Sequence, residues 1–117
     1  MSRPRVHLDY LRDMLDSAEK AILFVGGMDF KQFAQDDKTV FAVVRAIEII
    51  DEAARKIPKE FREKYGDIPW RDIAGTRDKL IHEYFGVNLS VVWRTVQEDL
   101  PILVVQLRKA LENGDAT

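Results

Sequence analysis

Apolar residues recur at three- and four-residue steps along most of this chain, a period that helices satisfy and strands do not. Leu8, Leu11, Leu15, Ala18, Ile22 and Val25 trace one face of a long first helix, and Gly26-Gly27 is a natural stop for it. Asp29 through Gln35 reads as one short turn. Asp36 or Asp37 is placed to cap a second long helix running from about Lys38 to Ile57. Pro58 closes that helix and opens a short one through Phe61, which ends near Tyr65-Gly66. Pro69 suits the first turn of the next helix, which runs toward Phe85. Gly75 interrupts that helix, Thr76 is able to re-cap it, and Gly86 ends it. Asn88 caps a last helix whose apolar face is Leu89, Val92, Val96, Leu100, Leu103, Leu107 and Leu111, with Gly114 as its stop. Pro101 lies inside this helix, where it removes one backbone donor and crowds the carbonyl of Gln97, so a kink is expected there.

Hairpin signals, repeats, low-complexity tracts and linkers are absent from the sequence. A length of 117 residues suits one domain, residues 1–117, large enough to bury a core without staples. Short connections between long helices predict an all-α antiparallel bundle of four to five main helices. The second long helix is apolar over more than one stripe. Val40, Val43, Val44, Ile47, Ile50 and Ala54 form one face, and Phe41, Ile49, Ala53 and Ile57 widen it. A helix in a small bundle needs only about a 100° stripe. Two readings follow: a central helix surrounded by its own neighbours, or a helix that gives part of its face to a second copy of the chain.

Composition narrows the function classes. The absence of cysteine excludes disulfides and thiolate metal sites and fits a reducing compartment. No apolar run approaches the roughly 18 residues needed to cross a bilayer, and the charged N-terminus lacks the apolar core of a signal peptide. A cytoplasmic protein with no membrane partner is expected. The formal net charge is −2, against the strongly basic balance usual for non-specific nucleic-acid binders. Any RNA contact therefore has to come from a local cluster of cations or from two copies pooling their charge.

The segment Arg77-Asp78-Lys79-Leu80-Ile81-His82-Glu83-Tyr84-Phe85-Gly86 concentrates the chemistry. A guanidinium can hold a phosphate through paired hydrogen bonds, and an imidazole can move a proton near neutral pH. On a regular helix Arg77 and Tyr84 share a stripe, Asp78 faces His82 four residues on, and Arg77 and His82 lie about 140° apart around the axis. Their head groups converge only if the arginine sweeps round, the helix loosens toward Gly86, or a second chain contributes. That geometry favours a cleft between two subunits. Read singly, each residue also has an ordinary role: His82 as a cation at a helix C-terminus, Arg77 as an ion-pair residue, Tyr84 as half-buried packing, Asp78 as a helix ion-pair partner. Glu48, Asp51 and Glu52 form an acidic edge on the second helix, either a solvated face or a partner for Arg45 and Arg55, or else holding one buried carboxylate that orients Arg77. Other chemistries fit less well. His7 stands alone and is expected to be exposed, and two distant histidines make a poor metal site, so neither a metal nor a cofactor is expected. Gly26-Gly27 lacks the GxxxxGK[ST] pattern of a phosphate loop, and Ser17 and Ser90 have no nucleophile context.

Arg77, four intervening residues, His82, one residue and Tyr84 form the pattern R-x4-H-x-Y. With its flanks, Ile68-Pro-Trp-Arg-Asp-Ile-Ala-Gly-Thr-Arg-Asp-Lys-Leu-Ile-His-Glu-Tyr-Phe-Gly-Val, the segment resembles the central block of the HepT-like subgroup of the HEPN superfamily. Val92-Trp-Arg-Thr-Val-Gln-Glu-Asp-Leu-Pro101 is similar to the helix that follows it in that family. Ala46-Ile-Glu-Ile-Ile-Asp-Glu-Ala-Ala-Arg-Lys-Ile-Pro58 is similar to the second-helix signature, so the likeness covers nearly the whole chain. One departure is visible: the family often has glycine before the second-helix glutamate, where this chain has Asp51 before Glu52, which makes the helix contact there looser or polar.

The resemblance implies a HEPN-like bundle that forms a homodimer and brings two R-x4-H motifs into one cleft. It implies a metal-independent endoribonuclease acting as the toxin of a toxin–antitoxin pair, with a minimal nucleotidyltransferase of the MNT type as antitoxin. In the family that partner can transfer AMP to the motif tyrosine, here Tyr84. The catalytic pair would be Arg77 and His82, with Tyr84 positioning RNA and Asp78, Glu52 and Glu48 supporting. The alternative from another class is a non-catalytic module whose motif docks the nucleotidyltransferase or a nucleotide.

Overall fold

The computed structural model describes the backbone of residues 5–82 and 86–115 and the side chains of residues 5–80 and 86–113. Three long helical elements make the frame. The first, α1 (His7–Val25), ends where Gly27 turns left-handed at φ +83°, which lets the Met28 N–H close on the Val25 carbonyl at 2.9 Å. A short α2 (Phe30–Gln35) follows, capped by Asp29, whose carboxylate accepts from the Gln32 N–H at 2.8 Å. Asp36, rather than Asp37, caps α3 (Asp37–Arg55) by accepting from the Thr39 N–H at 3.2 Å. Pro58 precedes α4 (Lys59–Lys64), and Pro69 precedes α5 (Trp70–Ala74). After α6 (Thr76–Leu80) the chain forms a two-residue antiparallel ladder, with Ile81 opposite Val87 and His82 opposite Gly86.

Asn88 caps α7 (Leu89–Arg94), accepting from the Val91 N–H at 3.2 Å. This helix passes through one π-helical turn, Thr95–Asp99, into α8 (Leu100–Asp115) and so forms a continuous rod. The π turn is how the chain meets the demand of Pro101. A regular helix would press the pyrrolidine ring against the Gln97 carbonyl; the wider turn shifts the register, and the Leu100 N–H bonds to the Thr95 carbonyl five residues back. The helix continues to Asp115, past Gly114, one residue beyond the expected stop.

The core lies where α1, α3 and the rod meet. Leu11, Met14 and Ala18 of α1, Val43 and Ile47 of α3, and Val92, Val96 and Leu107 of the rod are at most 2% exposed. Each large aliphatic side chain taken from water contributes about 1.5–3 kcal/mol. Phe33 is also fully buried, its ring 5.3 Å from that of Trp93, which fastens α2 over the end of the rod. The wide apolar face of α3 is used within the monomer: Val40, Val43, Val44, Ile47, Ile50, Ala53, Ala54 and Ile57 are all buried, so the central-helix reading describes them. Of the rest of that face, Ile49 is partly buried and Phe41, 74% exposed, is left outside. No helix among the described residues is long and apolar enough to cross a membrane.

Candidate active site

Arg77 is held in place from both ends of its short segment. At the start of that segment, the Trp70 indole N–H donates to the carbonyls of Arg62 and Tyr65, at 3.1 and 3.2 Å, which seats the first turn of α5. Gly75 keeps a nearly helical backbone at φ −100° and ψ −3°, so α5 and α6 are separated by a jog rather than a break. Thr76 does not cap α6; its hydroxyl donates back to the Asp72 carbonyl at 2.8 Å and ties the two helices together. At the far end, Leu80 is fully buried.

The expected helix toward Phe85 stops at Leu80. A five-residue helix cannot sustain itself and follows its tertiary contacts. Here the Leu80 carbonyl accepts from the Asn88 N–H at 2.7 Å, and Ile81-His82 leaves in extended form. Gly86, at φ +74°, stands in the returning strand opposite His82 and does not end a helix. The reason is chain geometry: a residue in the left-handed region beside a paired strand closes a turn as readily as it ends a helix. One expectation lapses with the helix: with His82 in extended backbone, Asp78 and His82 do not face each other across a helical turn. The backbone does loosen toward Gly86, since Ile81 and His82 are extended. The His82 side chain and all of Tyr84 lie outside the described residues.

The acidic edge of α3 divides three ways. Glu48, partly buried, lies with Oε2 at 3.8 Å from Arg77 Nε. That is a charge contact without a hydrogen bond, and the Arg77 side chain remains more than half exposed. Glu52 turns to Arg45 at 3.4 Å, both side chains in solvent. Asp78 is exposed. The buried carboxylate is Asp51, 3% exposed; it accepts from Arg55 Nε at 3.0 Å, and Arg55 Nη2 donates in turn to the Ala74 carbonyl. The helix contact at the position where the resemblance expects glycine is thus polar, and it clamps α3 to the end of α5, three residues before Arg77. The i, i+4 spacing of Asp51 and Arg55, amid Ile47, Ile50 and Ala54, was the available signal for this pair.

His7 differs from expectation. It is partly buried and stacks on Phe61, with ring centroids 3.5 Å apart and planes 9° from parallel. Burial, and then the nearby Lys64 charge, lower its pKa below the usual imidazole value, with Glu60 opposing. Tyr65 is buried next to it, and burial raises its phenol pKa. Among the described residues no group of three or more His, Cys, Asp or Glu side chains is arranged to hold a metal ion.

Against known proteins, the profile of the family described as Ribonuclease HepT-like matches residues 14–110. A protein of Caldanaerobacter subterraneus subsp. tengcongensis whose name proposes an RNase is 45% identical over 112 residues, covering 96% of this chain and 97% of that protein. A Thermococcus cleftensis protein whose name proposes a ribonuclease HepT is 48% identical over 105 residues, covering 90% of this chain and 96% of the other. A Methanocaldococcus jannaschii protein, also named for an RNase, is 40% identical over 104 residues, 89% of this chain and 90% of its own. No solved structure matches the chain.

Proposed function

This chain belongs to the HepT-like ribonuclease family, and from that premise we propose that it is a metal-independent endoribonuclease, the cytoplasmic toxin of a toxin–antitoxin pair. The observation that carries the reading is an intact R-x4-H-x-Y motif whose arginine stands half in solvent, fixed by its helix and beside Glu48. Arg77 holds the scissile phosphate and stabilises the charge that builds on it. His82 takes the proton of the ribose 2′-hydroxyl; the 2′-oxygen bonds to phosphorus and the bond to the 5′-oxygen breaks, which yields a cyclic phosphate. The leaving oxygen needs a proton, and one chain offers a single motif imidazole. A homodimer supplies the second from the other copy. Tyr84 positions RNA, and an MNT-type nucleotidyltransferase antitoxin that adds AMP there brings bulk and negative charge to the site and repels substrate phosphate.

The test is cleavage of RNA by the purified protein in chelator. His82→Ala is expected to lose about 10²–10⁴ in rate, the usual contribution of general acid–base catalysis, and Arg77→Ala about 10²–10³. Two variants that cut as fast as the parent would refute the assignment.

A further inference from the structure

The α5–α6 segment lines two grooves with its opposite faces, and their charges differ in sign. One face, with Ile73 and Thr76, borders a groove toward the rod whose walls carry Asp67, Asp72, Glu98 and Asp99 against Lys79 and Arg94. Phosphate is repelled there. The other face, with Trp70, Ala74 and Gly75, borders a groove toward α4 whose walls carry Lys59, Arg62 and Arg71 against Glu63.

We infer that this second groove is a seat for the sugar–phosphate backbone of the RNA strand and leads it to Arg77; the inference rests on the ribonuclease reading above. Three features support it. The cations are weakly committed: no ion pair among the described residues holds Arg71, Lys59 reaches Glu63 only at 4.0 Å with both side chains in solvent, and Arg62, half-buried with its Nε turned inward and unpartnered, adds its charge from beneath. The Trp70 ring is fixed by its two hydrogen bonds and partly exposed, which offers a rigid face for a base to stack on. The groove also ends close to the site, because Ala74 and Gly75 in its wall lie three and two residues before Arg77. In a chain of net charge −2, this supplies the local cation cluster that RNA contact requires.

The test measures binding of a single-stranded uridine RNA to the full chain carrying His82→Ala, so that the strand survives, across a range of salt. Adding Lys59→Gln and Arg71→Gln weakens binding and makes the slope of log K against log salt shallower by about 1.4, about 0.7 for each phosphate no longer neutralised. Adding Lys20→Gln and Arg108→Gln, which removes the same charge from α1 and α8, leaves the slope as it was. Equal slopes in the two sets, or an unchanged slope in the first, overturn the groove assignment. If the parent still cuts RNA in that case, the ribonuclease reading stands without the groove and the basic face serves another partner, such as an acidic protein; a parent that neither binds nor cuts RNA sinks both.

Discussion

The clamp between Asp51 and Arg55 makes a prediction in which the two halves of one ion pair behave unequally. The Asp51 side chain is 4% exposed and that of Arg55 is 55% exposed, with 3.0 Å between Oδ1 and Nε. Truncating Arg55 to alanine strands a carboxylate in the protein interior. Breaking a buried pair from one side costs 3–5 kcal/mol, and because the arginine is half in water the lower end applies, about 3 kcal/mol. Truncating Asp51 to alanine instead frees a guanidinium that already reaches solvent. The loss is one charge-assisted hydrogen bond, about 1.5 kcal/mol, with no orphaned charge. The double variant should resemble Asp51→Ala, because removing the carboxylate removes the penalty, so the pair couples by about 2–3 kcal/mol in a mutant cycle. Urea unfolding at fixed protein concentration reads this directly. With a slope near 2 kcal/mol/M, Arg55→Ala lowers the midpoint by about 1.5 M and Asp51→Ala by about 0.7 M. An Asp51→Ala loss equal to or larger than that of Arg55→Ala would show that the carboxylate is not the buried partner, and the argument would fail.

Two further outcomes are expected. His7 has a folded-state pKa below its unfolded value of about 6.5, so the unfolded chain binds more protons in that window and stability rises with pH through it. Thermal midpoints measured from about pH 5 to pH 7 should therefore rise in the parent, and His7→Gln should flatten that component; an unchanged profile would remove His7 as its source. Gly86 sits at φ +74° with open space where a Cβ would stand, so Gly86→Ala meets backbone strain alone, about 1–2 kcal/mol. The loss should appear in urea titration and as slower RNA cleavage, because Gly86 pairs with His82 across the ladder; full stability would mean that the turn has another conformation.

Most of the frame was legible because helical periodicity, caps and prolines act locally. Asp36, Asn88 and Gly27 do what their residue types do in short peptides, and Pro101 declares its own constraint. The answer to that constraint was harder to read. A kink and a π turn both relieve a proline, and the choice depends on what packs against Val96 and Leu100, both buried in the core. The site was legible as a motif and illegible as a shape. Arg77, His82 and Tyr84 stand out by chemistry, but their placement turns on whether residues 81 and 82 continue a helix. That is decided by the Asn88 N–H arriving at the Leu80 carbonyl from eight residues away.

Charge shows the same limit from the other direction. A net charge of −2, taken alone, counts against a polyanion as substrate, since it averages every side chain together. Folding separates what the sum combines: α5 and α6 turn Asp72 to one side and Arg71 to the other, although the two are adjacent in sequence. Screening at physiological salt limits each exposed charge to about 8 Å, so a strand lying along α4 and α5 meets Lys59, Arg62 and Arg71 against Glu63, while the carboxylates across the helix are largely screened. A chain of mildly acidic composition can therefore present a cationic path to phosphate, and the steepness of its salt dependence, rather than its net charge, is the measure of that path.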